Sequence, residues 1–199
     1  MPTFYFDIET TGVKPDRDKI ITIQYQEVDR NTAKPIGPLV IHKEWDSSEH
    51  EMLQDFVGST RITDPYPFSF VPIGYNLKFE NDFLRERLAA YGLPRPDILG
   101  KPNVDLQAIG VLMNKGEFVG SGLDKITNKP FSGKGIPVWY KEKEYWRIED
   151  YVKAEAEAFL EWAQWLYKEM PGLREKWVKD ACGAQTNTPS QSSTAQPQE

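Results

Sequence analysis

Asp7 and Glu9 stand one residue apart in "FYFDIETTG", residues 4–12, a stretch otherwise aromatic and β-branched enough to be a buried strand. Side chains alternate along a strand, so Tyr5, Asp7 and Glu9 share one face while Phe4, Phe6 and Ile8 share the other. Two carboxylates about 7 Å apart on one strand face repel each other when ionised. A buried anion also costs several kcal/mol unless it is paired or binds a metal. Hard divalent cations such as Mg²⁺ or Mn²⁺ remove the repulsion by accepting the oxygens. The alternative is a wet, salt-bridged pair of acids at a strand end.

Further acids come from two later stretches. In "IGYNLKFENDFL", Gly74 and Asn76 close a strand, and Glu80 and Asp82 fall at the start of the next helix. At about 100° per residue Glu80 aligns with Leu84 and Leu88 on the core-facing stripe, whereas Asp82 falls with Arg85, Glu86 and Ala89 on the wet side. Geometry therefore favours Glu80, although either acid could simply stabilise the helix dipole. In "EDYVKAEAEAFLEW", Tyr151 and Glu155 are four apart and reach one spot from one helix face. The two histidines, His42 and His50, lie far from that helix in sequence, which argues against a histidine general base.

Taken together, the three stretches resemble the DEDD superfamily of 3′→5′ exonucleases, the DnaQ-like nucleases built on a ribonuclease-H-like sheet. "FDIETTG" looks like the first motif, which implies Asp7 and Glu9 as metal ligands and Thr10, Thr11 and Gly12 as a seat for the terminal nucleotide. "YNLKFENDFL" is similar to the second motif, with Asn76 and Phe79 at nucleotide-binding positions and Glu80 at the acidic one. "YVKAE" resembles the tyrosine-type third motif, with Tyr151 and Glu155. The resemblance spans roughly residues 3–170, and "VDL" and "SGKGIPVWY" sit where the family has comparable segments.

The family has Asp where this chain has Glu80 and Glu155. An extra methylene moves each carboxylate outward by about 1.5 Å, and misplacement on that scale can cost on the order of 100-fold in rate. Asp82 and Asp150 are second-choice ligands, and Tyr145 with Asp150 repeats the histidine-type spacing with Tyr in place of His. The resemblance implies a metal-dependent exonuclease that shortens single-stranded nucleic acid, DNA favoured, from its 3′ end to 5′-mononucleotides. Two divalent ions, Mg²⁺ or Mn²⁺, would do the chemistry. Asp7 would bridge both ions, Glu9 and Glu155 would complete one, Glu80 would anchor the other through water, and Tyr151 would orient the attacking water. The competing expectation is a binding or interaction module in which the Glu substitutions spoil the metal pair.

The elements that must position these residues follow from the pattern of the chain. "TFYFDIETTG", "KIITIQYQEV" and "PLVIHKEW" predict an antiparallel meander, and "FSFVPIGYN" and "NVDL" two more strands. Helices are expected over "SSEHEMLQDFVGS", from Glu80 to Gly92, over "LQAIGVLM", and over "IEDYVKAEAEAFLEWAQWLYKEM", the last stopping at Pro171 and Gly172. The fold class is therefore α/β: a mixed five-stranded sheet, antiparallel at one edge and parallel at the other, flanked by helices.

One domain over residues 1–180 is expected, followed by a disordered tail over 181–199 that is rich in Ser, Thr, Gln and Pro. The lone Cys182 and the absence of a secretion signal point to a cytoplasmic setting, and no apolar run is long enough for a membrane span. A net charge of −6 argues against a protein that coats duplex backbone. Leu160, Trp162, Trp165 and Tyr167 lie outside the main stripe of the final helix, which suggests a homo-oligomer or burial under the preceding loop.

Overall fold

The computed structural model describes residues 1–127 and 132–185, the last three as backbone only. Strands β1 (Thr3–Thr10), β2 (Ile20–Val28) and β3 (Val40–Lys43) form the antiparallel meander. β1 also pairs in parallel with β4 (Val71–Gly74), which pairs in parallel with β5 (Val104–Asp105). The sheet order is β3-β2-β1-β4-β5, the mixed five-stranded arrangement expected.

The first sheet face carries Phe6, Ile8 and Ile23. They pack on α1 (Glu49–Ser59), through Met52, Leu53 and Phe56, and on α2 (Leu77–Ala90), through Phe83, Leu84 and Leu88. Ser48 caps α1 by accepting from the Glu51 N–H, which places the acids Glu49 and Glu51 in the positive first turn. Short helices α3 (Gln107–Met113), α4 (Leu123–Ile126) and α5 (Ile136–Lys141) lead to α6 (Tyr145–Gln185).

The second face is covered by α6. Ala156, Phe159, Leu160, Ala163 and Leu166 pack with Tyr5, Val28 and Ile73, and Ile148 and Val152 pack with Ile21 and Ile136. The start of α6 is clamped to the far edge of the sheet: Trp45 stacks on Tyr145 with centroids 4.6 Å apart, and Lys43 Nζ lies 3.2 Å from Glu149.

The last helix differs from expectation in length. It does not stop at Pro171 and Gly172 but continues to Gln185. One proline removes one backbone bond and costs about 3 kcal/mol in a helix interior, whereas "LREKWVKDA" after it is made mostly of good helix formers. Residues 181–185, placed in the expected tail, are thus helical, and residues 186–199 lie outside the described ones. Leu160 and Trp162 are buried within the chain, while Trp165, Met170, Leu173 and Trp177 are exposed. Among the described residues no helix is long and apolar enough to cross a membrane.

Glu49 joins three elements. Its carboxylate accepts from the Ile20 N–H at 2.8 Å, from Arg87 Nε at 2.8 Å and Nη2 at 2.7 Å, and from the Tyr91 hydroxyl at 2.9 Å. The side chain is almost fully buried, so each bond replaces hydration that folding removed. Glu49→Ala leaves Arg87 and the Ile20 N–H without their partner, and urea unfolding is expected to show a loss of about 3 kcal/mol. A loss below about 1 kcal/mol would show that the network contributes little.

Candidate active site

Asp7 and Glu9 are placed by β1 and oriented by β2. The register sets Asp7 opposite Gln24 and Glu9 opposite Thr22. Gln24 Nε2 donates to Asp7 Oδ2 at 2.6 Å, and the Thr22 hydroxyl donates to Gln24 Oε1 at 2.9 Å. Both residues are fully buried, so the amide has one orientation that satisfies its two ends. The register then slips between Glu9 and Thr10, which pair with Thr22 and Ile20. This bulge leaves Ile21 unpaired and turns it under α6, away from Ile20 and Ile23, which pack in the other layer.

Glu80 arrives from the opposite side. The β1–β4 ladder ends at Tyr5 and Ile73, and the first turn of α2 lies beyond it. Gly74 permits the close approach, since a Cβ there would lie 2.8 Å from the Phe6 carbonyl oxygen. Asn76 adopts a left-handed conformation with φ 63°, and its N–H and that of Leu77 each donate to Asp105 at 2.9 Å. Asp105 thus caps α2 from the neighbouring strand. Glu80 is buried and hydrogen-bonded to Asp7, and burial together with the Asp7 charge holds its carboxyl well above the usual carboxylate range. Its Oε2 is a buried oxygen without a hydrogen-bond partner among the described residues.

From α6, Tyr151 and Glu155 reach the same place. Asp7, Glu9 and Glu155 each bring an oxygen within 4.8 Å of the others. Glu155 therefore meets the strand acids despite its extra methylene. Tyr151 donates to Glu155, and burial, then Glu9 and Glu155, push its phenol far above its ordinary value. In the metal-free protein it is therefore held as a proton donor to Glu155. Gly133 makes room for it, because a Cβ there would lie 2.8 Å from the Tyr151 hydroxyl.

Asp82 forms an exposed ion pair with Lys78, and Asp150 lines a separate cleft, so neither joins the acids that meet. The Thr10 hydroxyl donates to the Gly12 carbonyl at 2.6 Å, and Thr11 Oγ1 accepts from the Lys19 N–H at 3.0 Å. A Cβ on Gly12 would collide with the Asp18 carboxylate that accepts from the Lys14 N–H at 2.8 Å. Thr10, Thr11 and Gly12 thus build a closed turn directly after Glu9. Phe79 packs on Phe83 in a tilted pair with centroids 4.7 Å apart.

Gln24, Asp105 and Gly133 escape the sequence reading. A Gln flanked by Ile23 and Tyr25 in β2 is the signal for the first, and the "VDL" stretch for the second.

The site is suited to a divalent metal. Its donors are all carboxylate oxygens, the set that hard cations such as Mg²⁺ or Mn²⁺ prefer. The unpartnered Glu80 Oε2 is a buried acceptor that a cation would satisfy. Asp7, Glu9 and Glu155 can hold the ion, with Glu80 beside Asp7.

Comparison with known proteins agrees with this geometry at the level of the fold. The family described as RNase_H superfamily matches residues 4–161, most of the chain, and the chain belongs to that superfamily. Escherichia coli exonuclease I is similar at 13% identity. Its metal-free complex with single-stranded DNA aligns over 56% of this chain and 30% of that one, with a TM-score of 0.45. The complex of the same enzyme with a dA16 oligonucleotide gives 0.46, covering 56% of this chain and 29% of that one. The chain thus spans about a third of the length of these structures. No curated protein matches at a significant level.

Glu80 yields a prediction with a definite sign. Its raised pKa means that the folded chain keeps a proton the unfolded chain has released. Metal-free stability should therefore fall as pH rises above the ordinary carboxylate range and through the folded pKa. Mn²⁺ should raise Tm more at pH 8 than at pH 5.5, because binding needs the carboxylate. Glu80→Gln should raise the metal-free Tm at pH 8 by about 2–4 °C and shrink the Mn²⁺ shift. A lowered metal-free Tm with an intact Mn²⁺ shift would contradict this assignment.

Proposed function

We propose that the chain is a divalent-metal-dependent 3′→5′ exonuclease that shortens single-stranded nucleic acid, DNA in preference to RNA, and releases 5′-mononucleotides. The observation that carries this reading is the meeting of Asp7, Glu9 and Glu155, with Glu80 bonded to Asp7, beside the donor Tyr151. Two Mg²⁺ or Mn²⁺ ions held there would supply an activated water and charge relief at the scissile phosphate.

The protein's own groups have distinct tasks in this reading. Asp7 stands between Glu80 and the Glu9–Glu155 side and bridges both halves of the site, and Gln24 holds it in the bridging orientation. Glu9 and Glu155 complete one half, and Glu80 anchors the other. Tyr151 stays protonated and fixes Glu155, and through it the direction of the attacking water. The Thr10–Thr11–Gly12 turn, Asn76 and Phe79 seat the terminal nucleotide. The exposed, unpaired Cys182 fits a reducing, cytoplasmic setting.

The test uses 3′- and 5′-labelled single strands with Mg²⁺ and with Mn²⁺. A ladder shortened from the 3′ end, dependent on metal, is expected, with circular single strands left intact. Asp7→Asn and Glu155→Gln should each lower the rate by on the order of 100-fold or more. Absence of shortening with both metals would reject the activity, and cutting of circles would reject the exonuclease mode.

A further inference from the structure

A second feature lies beside the acids and shares only Tyr151 with the chemistry assigned above. Trp139, Trp146, Arg147, Asp150 and Tyr151 line a cleft of about 400 Å³. Trp146 is 62% exposed on the first turn of α6, an unusual position for the largest apolar side chain. The Arg147 guanidinium lies over its ring, 5.4 Å from the centroid, and is itself held by Glu144 at 3.0 Å. The opposite wall is fixed too: Trp139 packs so tightly on Gly135 that a Cβ there would lie 2.6 Å from the ring, and its centroid is 6.3 Å from that of Tyr151. Two indoles give the cleft flat apolar walls, and the Arg147 guanidinium, paired with Glu144 and with Asp150 lining the same cleft, adds a polar donor at its rim, which suits a planar ring with a polar edge.

Its position relative to the acids is set by one helix. Trp146 precedes Tyr151 by five residues, about 7.5 Å along the axis and about 140° around it, while Arg147 lies one turn before Tyr151 on the same side of the helix. We propose that this cleft holds the unpaired base next to the nucleotide being released, so that the substrate is a flexible single strand reaching past its terminal residue. This rests on the nuclease reading. The base stacks against Trp146, Arg147 lies near the adjoining phosphate, and Tyr151 forms the wall between this cleft and the carboxylates. A base engaged in a stacked duplex cannot enter, which makes the cleft a selector for single strands.

Two substrates separate the cleft from the chemistry: a short oligothymidylate, which reaches the cleft, and the 4-nitrophenyl ester of thymidine 5′-phosphate, which carries only the terminal base. For Trp146→Ala the ratio of oligonucleotide to ester kcat/KM is expected to fall by about 5- to 150-fold, the range for one stacked base. The loss should appear in KM, and Trp146→Phe should recover most of it. Trp165→Ala, an exposed indole further along α6, should leave the ratio unchanged.

An unchanged ratio in Trp146→Ala overturns the proposal, as does an equal loss on both substrates. Should the wild type cleave neither substrate, the nuclease reading fails and binding decides the cleft. Quenching of tryptophan fluorescence by oligothymidylate that is lost in Trp146→Ala supports it, and no quenching in the wild type refutes it.

Discussion

Mutual repulsion among Asp7, Glu9, Glu80 and Glu155 is the constraint around which the rest of the chain is arranged. Carboxylates this close lose hydration on folding and gain nothing from one another while charged. The protein counters this with donors: the Gln24 amide on Asp7, the Tyr151 hydroxyl on Glu155, and the proton that Glu80 shares with Asp7. Each donor is itself locked, Gln24 by Thr22 and Tyr151 by its packing among Ile21, Ile136 and Val152. The uncompensated carboxylate charge is thus gathered at one spot and carried by the apolar clusters on both faces of the sheet. A cation satisfies the converging oxygens of Asp7, Glu9 and Glu155 at once, so an arrangement that is costly in its absence suits a metal site.

Much of this was legible in the chain. Alternation in β1 separates the acids from Phe6 and Ile8, and that separation is the one found between the two layers. The 100° rule chooses Glu80 over Asp82, and the structure buries the first and pairs the second with Lys78 at the surface. Four-residue spacing brings Tyr151 and Glu155 together because α6 is regular there. In each case the deciding geometry lies within a single element, where residue order alone determines direction.

What the chain did not disclose depends on relations between elements. Gln24 becomes a partner of Asp7 only through the β1–β2 register, and the bulge that follows Glu9 is invisible because its extra residue, Ile21, resembles any other in its strand. Asp105 caps a helix that begins nearly thirty residues earlier, and Gly133 matters only because the Tyr151 hydroxyl stops against it. Pro171 misled for another reason. A local breaker is overridden where the residues beyond it favour the helix strongly enough, and that balance is a sum over many positions.

The nearly unbroken rod of α6 has one more consequence. Trp146, Tyr151 and Glu155 keep their mutual bearing only while the number of residues between them is unchanged. Inserting or deleting a single position between 146 and 155 would swing everything on one side by about 100°, carrying the indole or the acid to the far side of the rod. The identity of an exposed intervening residue such as Lys153 can therefore vary, but the tally cannot. The surface loop between α1 and β4 is under no such arithmetic and can lengthen or shorten without disturbing the alignment of the groups on α6.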